Sequence, residues 1–332
     1  MLSTIEKISL TVCVFIMILI AGCSPEAAPA PTPPMPPTQS TATAQPTSQQ
    51  PTLAMVTPTA QTCPAGTHIV DFKTGSQTRQ YRLHGPSHPN GAPMALVLLF
   101  HGNGGSADGM EGWTGFSDLA DQKGFVVVYP MGIGVKPSWD IGHSSANPDL
   151  LYVQDMIVDI EARCEIDRNQ VFATGFSAGG GMVNRLGCNF SDRIAAIAPV
   201  SGVYQDSENC NPVRPVPVFA VHGTKDPEVP YNGLGDLSSP PQAYFNIQIP
   251  VPQWAGIWAQ RNGCADKSRI IEKNDRYSVE IWEACREGAE VILNTMAGGG
   301  HTWPGGTGAP AGDFHTTQAI WDFFARHPLK GK

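Results

Sequence analysis

The chain carries no cluster of lysine or arginine: charged residues make up 15% of it and its formal net charge is −8. Without a basic patch there is no electrostatic footprint for nucleic acid, although a small neutral substrate is untouched by that argument. Metal signatures are missing too. No His-Glu-x-x-His, Cys-x-x-Cys or EF-hand loop occurs, so the sequence implies no metal and no other cofactor. A long hydrophobic run is also lacking. The mostly apolar stretch Ile8 to Ile20 falls short of the roughly 20 residues that a bilayer-spanning helix needs. Beyond residue 61 there is no second linker and no internal repeat, which excludes a solenoid and leaves room for a single catalytic domain.

What is present begins with export. Lys7 precedes the Ile8 to Ile20 run, which has the length of a signal-peptide core, and the run closes on Ile20-Ala21-Gly22-Cys23, which resembles a bacterial lipobox. Residues 1–22 are expected to be a lipoprotein signal peptide, with Cys23 lipidated and attached to the membrane by that anchor alone. A plain secretory signal cut nearby is the alternative. Residues 23–61 are Cys23 followed by a Pro, Thr, Ala, Gln and Ser tract with few core-forming side chains, and read as a tether. As a flexible coil it would reach on the order of 35 Å. Residues 62–332 are expected to form one α/β domain.

Three motifs carry the chemistry, in the order Ser, Asp, His. Gly175-Phe176-Ser177-Ala178-Gly179 is a G-x-S-x-G sequence, placed between the apolar run Val171 to Thr174 and a segment, Ala178 to Leu186, able to form a helix. Strand, sharp turn and helix are what a nucleophile elbow requires, because the turn lifts the serine hydroxyl above the sheet. The bland alternative is an ordinary glycine turn. Asp226 follows the buried-strand run Val216 to Val221, at the sheet edge where open α/β folds bind ligands. It is preferred to Glu228 as the acid that orients the histidine. His301 follows three glycines after Val291 to Met296 and is the expected base, the alternative being a surface turn. Upstream, Ala95 to Phe100 ends in His101-Gly102-Asn103-Gly104-Gly105, an oxyanion-type loop. Backbone N–H groups of Asn103 and Ala178 are the expected oxyanion donors, and His101 is read as a brace for the loop rather than a second catalytic histidine. Asp155 and Asp159 fall on a periodic segment, Leu150 to Cys164, as helix-surface or capping groups.

Of eight cysteines, Cys13 falls in the signal peptide and Cys23 at the anchor, leaving six for an exported domain and fifteen possible connectivities. Cys188 ends the helix after the elbow, and Cys210 lies in the connection returning to the same sheet edge. Cys264 and Cys285 bracket one short section before the histidine loop. Cys63 with Cys164 follows by exclusion.

With these placed, residues from about Thr67 onward resemble the esterase family that groups poly(3-hydroxybutyrate) depolymerases with feruloyl and acetylxylan esterases. The matching stretches are Val127 to Pro130, Gly175 to Gly180, Ala195 to Gly202, Val221 to Tyr231 and Gly298 to Gly305. The resemblance implies an α/β-hydrolase fold with a mostly parallel central sheet, and catalytic roles for Ser177, Asp226 and His301. Trp139 and Trp303 become candidates for the substrate rim, with buried packing as the alternative. The sequence departs from the family at Met131, Asp140 and Gln154-Asp155, positions expected to shape the pocket. The resulting expectation is a monomeric, exported serine carboxylesterase acting on feruloyl or acetyl esters of plant polysaccharide fragments. An oligoester depolymerase is the alternative within the class, and an inactive glycan- or polymer-binding lipoprotein the alternative outside it.

Overall fold

Strands buried on both faces read as mostly apolar runs, and four strands buried at every residue lie at the centre of this molecule. The computed structural model describes residues 63–89, 91–142, 147–205, 210–233, 249–308 and 314–330. The expected signal peptide, Cys23 and the tether lie outside the described residues. In chain order the strands are β1 (Gly66–Thr74), β2 (Gln77–Gly85), β3 (Met94–Phe100), β4 (Val126–Pro130), β5 (Ile166–Phe176), β6 (Ala196–Val200), β7 (Val218–Gly223), β8 (Arg269–Lys273), β9 (Tyr277–Trp282) and β10 (Val291–Met296). The helices are α1 (Ala107–Thr114), α2 (Phe116–Lys123), α3 (Pro148–Arg163), α4 (Ala178–Asn189), α5 (Val251–Arg261) and α6 (Thr316–Ala325).

All ten strands join one sheet in the order β1-β2-β4-β3-β5-β6-β7-β10-β9-β8. The stretch from β4 to β10 is parallel throughout, flanked by antiparallel pairs at both edges. Alternation along β3 shows how two layers of helix are served. Leu96, Leu98 and Phe100 point into a core shared with α3, α4 and α5, while Val97 and Leu99 point into a second core with α1, α2 and α6. This is the expected α/β-hydrolase architecture, with the C-terminal ends of β3, β5, β7 and β10 gathered at one edge of the sheet.

Two expectations need correction. The sequence from Met110 to Gln122 predicts a single helix, but the structure has two, α1 and α2, parted at Gly115, whose φ of 69° is left-handed and ends the first helix. Strands β8 and β9 were not anticipated. They pair as an antiparallel hairpin at the sheet edge, where every residue of β8 is exposed and the charges of Arg269, Glu272 and Lys273 hide its strand character. The cysteines bond as anticipated: Cys188 to Cys210, Cys264 to Cys285, and Cys63 to Cys164, the last tying the start of the domain to the end of α3.

Candidate active site

Ser177 stands between β5 and α4 with φ 57° and ψ −119°, a conformation that costs energy for any residue with a side chain. Glycine makes the turn possible. A Cβ on Gly179 would sit 2.2 Å from the carbonyl oxygen of Phe100, and one on Gly175 would sit 2.7 Å from the backbone of Gly179. The serine backbone is fastened on both sides, its N–H donating to Val200 O at 3.0 Å and its carbonyl accepting from Val203 N at 3.2 Å and Gly181 N at 3.1 Å. Strain and restraint together hold the hydroxyl where the sharp turn aims it. Ala178 opens α4, so its N–H is one of the free donors at the positive end of a helix.

The loop after β3 runs beside this turn, close enough that a Cβ on Gly102 would meet the Ser177 Cβ at 3.1 Å. Gly104 N–H is taken by Pro137 O at 2.6 Å and Gly105 N–H by Gly102 O at 2.9 Å. Those two amides are thereby removed from contention as oxyanion donors. His101 is buried with both ring nitrogens engaged: Nδ1 lies 2.7 Å from Gly102 O, and Nε2 accepts from Gly132 N–H at 2.9 Å. Nδ1 therefore carries the proton, since a carbonyl can only accept. Its position makes His101 a brace between the loop and residue 132.

Asp226 lies just past β7, buried, with its two oxygens divided. Oδ1 accepts from Glu228 N at 3.0 Å and Val229 N at 2.8 Å, and Oδ2 lies 2.8 Å from His301 Nδ1. Burial works to raise this carboxyl, yet the His301 hydrogen bond, the Val229 N–H and the neighbouring imidazoles outweigh it and hold it below the usual carboxylate range. An ionised carboxylate accepts only, so Nδ1 of His301 is the donor and Nε2 is left with its lone pair. Glu228, the rival acid, is exposed and contributes only its N–H. The glycines before His301 let its loop cross β7: a Cβ on Gly223 would lie 2.2 Å from Gly299 O. Lys225 N donates to Gly299 O at 2.9 Å and Gly298 N to Thr224 Oγ1 at 2.8 Å, so the loop is stitched to the aspartate turn. The ring of Phe176, one residue before Ser177, packs on that of His301 with centroids 4.5 Å apart. Elbow, acid and histidine thus share one sheet edge.

A family model for phospholipases and carboxylesterases matches residues 147–242. The chain is 31% identical over 267 residues to the protein named as esterase NocK in Nocardia uniformis subsp. tsuyamanensis, spanning 73% of this chain and 76% of that one. It belongs to that esterase family. Feruloyl esterase B of Piromyces equi is 31% identical over 62% of this chain, which spans only 39% of that longer protein, and feruloyl esterase D of Neurospora crassa is 26% identical over 76% of this chain and 78% of its own length. Among solved structures, an acetyl xylan esterase from Aspergillus awamori superposes with a TM-score of 0.56 at 18% identity, covering 78% of this chain and 99% of that one, a likeness of fold alone.

Other parts of this esterase-family chain differ from the sequence reading. Trp139 is 3% exposed and donates its indole N–H to His101 O at 2.7 Å, and Trp303 is 1% exposed and donates to Thr317 Oγ1 at 3.0 Å. Neither forms an open substrate rim; both are packed indoles with satisfied N–H groups. Gln154 is exposed and Asp155 accepts from Thr74 of the edge strand β1 at 2.6 Å, so these two departures do not shape the site. A cavity of about 440 Å³ lies under the histidine loop, walled by Trp113, Tyr277, Phe314 and Trp303 and bordered by Gly300 and Thr302. None of Ser177, Asp226 and His301 lines it. Trp113 packs edge-on against Phe176 with centroids 4.9 Å apart, which connects the cavity wall to the elbow. Neither Trp113 nor His222, which is buried beside Asp226, was singled out from sequence. Among the described residues no group of three or more His, Cys, Asp or Glu converges as metal ligands would.

Proposed function

We propose that this protein is a serine carboxylesterase that cleaves hydroxycinnamoyl esters of plant polysaccharide fragments. The observation that carries the proposal is the 2.8 Å Asp226–His301 hydrogen bond at the sheet edge that also bears the strained Ser177 turn. In this reading Ser177 Oγ attacks the ester carbonyl while His301 Nε2 takes its proton, and the N–H groups of Ala178 and Asn103 receive the developing oxyanion. His301 then returns the proton to the departing alkoxide, and water, deprotonated by the same imidazole, releases the acid. Asp226 keeps Nδ1 protonated and stabilises the imidazolium.

The acyl preference rests on the cavity. A hydroxycinnamoyl group separates its ring from the ester carbonyl by a two-carbon spacer, which suits an aromatic-walled cavity whose Trp113 packs against Phe176, the residue before the nucleophile. An acetyl group would leave that space empty. Three disulfides and the lipobox-like Ile20 to Cys23 support export with an anchor at Cys23. The deciding experiment compares kcat/KM on methyl ferulate, acetylated xylo-oligosaccharide and a hydroxybutyrate trimer, with Ser177→Ala as control. Methyl ferulate should lead, and Trp113→Ala should raise its KM at least about fivefold while leaving the acetyl substrate unchanged. A trimer preference of about a hundredfold would make this an oligoester hydrolase, and full activity of folded Ser177→Ala would overturn the mechanism.

A further inference from the structure

His222 lies at the end of β7, completely buried, four residues before Asp226. Its ring sits between those of Tyr204 and Tyr231, with centroids 5.9 and 6.0 Å away. Nε2 is 2.8 Å from the carbonyl oxygen of Val229, which can only accept, so Nε2 carries the hydrogen. The same nitrogen is 3.5 Å from Oδ2 of Asp226, the oxygen that faces His301. Nδ1, by contrast, is buried with no hydrogen-bond partner. A second proton there would be an N–H sealed away from any acceptor, so the ring stays neutral; burial, the dominant influence, pushes its pKa down in the same sense.

Val229 is held at both ends of this arrangement. Its carbonyl accepts from His222, and its N–H donates to Oδ1 of Asp226 at 2.8 Å. The imidazole therefore fixes the peptide that fixes one aspartate oxygen, and the other oxygen is left for His301. A residue present only to fill space would be better served by an apolar ring, because leaving Nδ1 unpaired costs stability that phenylalanine would not lose. We propose that His222 is a positioning residue whose Nε2–H clamps the turn from Asp226 to Val229 and so sets which carboxylate oxygen faces His301.

This inference rests on the Ser177–Asp226–His301 reading, and its test separates the two. The full chain is compared with His222→Phe, which keeps the ring and loses the N–H, and His222→Gln, whose amide N–H restores the donor. The groups facing this ring are Asp226, Tyr204, Tyr231 and, beyond Asp226, His301. His222→Phe should lower kcat about 10- to 100-fold with KM within about twofold. It should also move the acid limb of kcat/KM to lower pH, because a misaligned Asp226 stabilises the His301 imidazolium less. His222→Gln should recover kcat to within about fivefold and return the limb. Equal impairment of the two variants, or a folded His222→Phe with wild-type kcat and pH profile, overturns the proposal. If His222→Phe does not fold, His222→Asn serves in its place: its shorter amide should fail to reach Val229 and leave it impaired where Gln is active, and equal activity of the two overturns the clamp. The downfield proton resonance of His301 Nδ1–H gives a readout independent of turnover. It should shift in His222→Phe and not in His222→Gln, and an unchanged line in His222→Phe overturns the clamp even if wild-type protein cleaves no ester, the result that would instead sink the triad.

Discussion

Replacing Asp226 by asparagine should inactivate the enzyme through a tautomer rather than through lost charge alone. Oδ1 of Asp226 faces two backbone donors, Glu228 N and Val229 N, at 3.0 and 2.8 Å. An amide NH₂ cannot occupy that position, so the asparagine oxygen must, and its nitrogen is turned toward His301. There it stands 2.8 Å from Nδ1 and donates to it, which places the imidazole hydrogen on Nε2. An Nε2–H imidazole cannot accept the Ser177 proton. Triad enzymes lose about 10⁴ in kcat when the histidine is held in this tautomer, which corresponds to about 5.5 kcal/mol of barrier. The assay is kcat on methyl ferulate at pH 7.5, with the thermal midpoint measured to show that the variant is folded. Labelling by a fluorophosphonate should fall in parallel, since it needs the same activated serine. Asp226→Asn retaining more than about a tenth of wild-type kcat would refute the assignment of oxygens on which this reasoning depends.

How much of this was legible depended on where each residue sits in the fold. Val291 to Met296 was read from sequence with the boundaries that β10 has, because buried Val291, Ile292, Leu293 and Met296 outweigh Asn294, which is also buried and donates to Ala220 O, and half-buried Thr295. The elbow and the histidine loop announced themselves through glycine, and the structure gives the reason: at Gly179 and Gly223 another backbone passes within reach of an absent Cβ. The half-exposed edge was illegible for the opposite reason. In β8 the solvated face carries Arg269 and Lys273, and the two isoleucines between them are exposed, so no period of two emerges. The up-and-down course of the chain between strands was enough to pair Cys188 with Cys210, and closeness in sequence to pair Cys264 with Cys285, whereas Cys63 with Cys164 followed only by exclusion. Side-chain direction needed more. Trp303 lies two residues from His301 in sequence, but neither tryptophan presents its indole at an open rim: Trp139 is packed inside, and Trp303, almost wholly buried, walls the cavity beneath the histidine loop. His222 belongs to the same motif as Asp226, yet its role depends on a turn that folds Val229 back over it, which no spacing rule states.

Three further expectations follow from the packing. Gly179→Ala should lose about 1–3 kcal/mol and most of its turnover, since its Cβ must push α4 away from the Phe100 and His101 carbonyls and carry the Ala178 N–H with it; a melting point equal to wild type would contradict that close approach. Cys63→Ser with Cys164→Ser opens a loop of 101 residues and should cost about 4–5 kcal/mol in the loop-entropy view, read as a lowered denaturant midpoint under non-reducing conditions. The last concerns acid. His101 and His222 are both buried, and burial, the largest influence on each, holds both folded-state pKa values below the ordinary 6.5. Below about pH 6.5 the unfolded chain therefore binds protons that the native protein refuses, so stability is full above that pH and falls as pH drops, by up to about 2.7 kcal/mol per unit for the pair. Asp226, Glu111 and Asp159, whose carboxyls are all held low, act in the same direction but only below about pH 4.5, so the interval from 7.5 to 5 isolates the histidines. Urea midpoints should be level from pH 7.5 to about 6.5 and decline from there to 5, and His222→Gln should remove about half of that slope; a flat wild-type profile would mean that both rings titrate as they do in water, which their burial and fixed hydrogen bonds forbid.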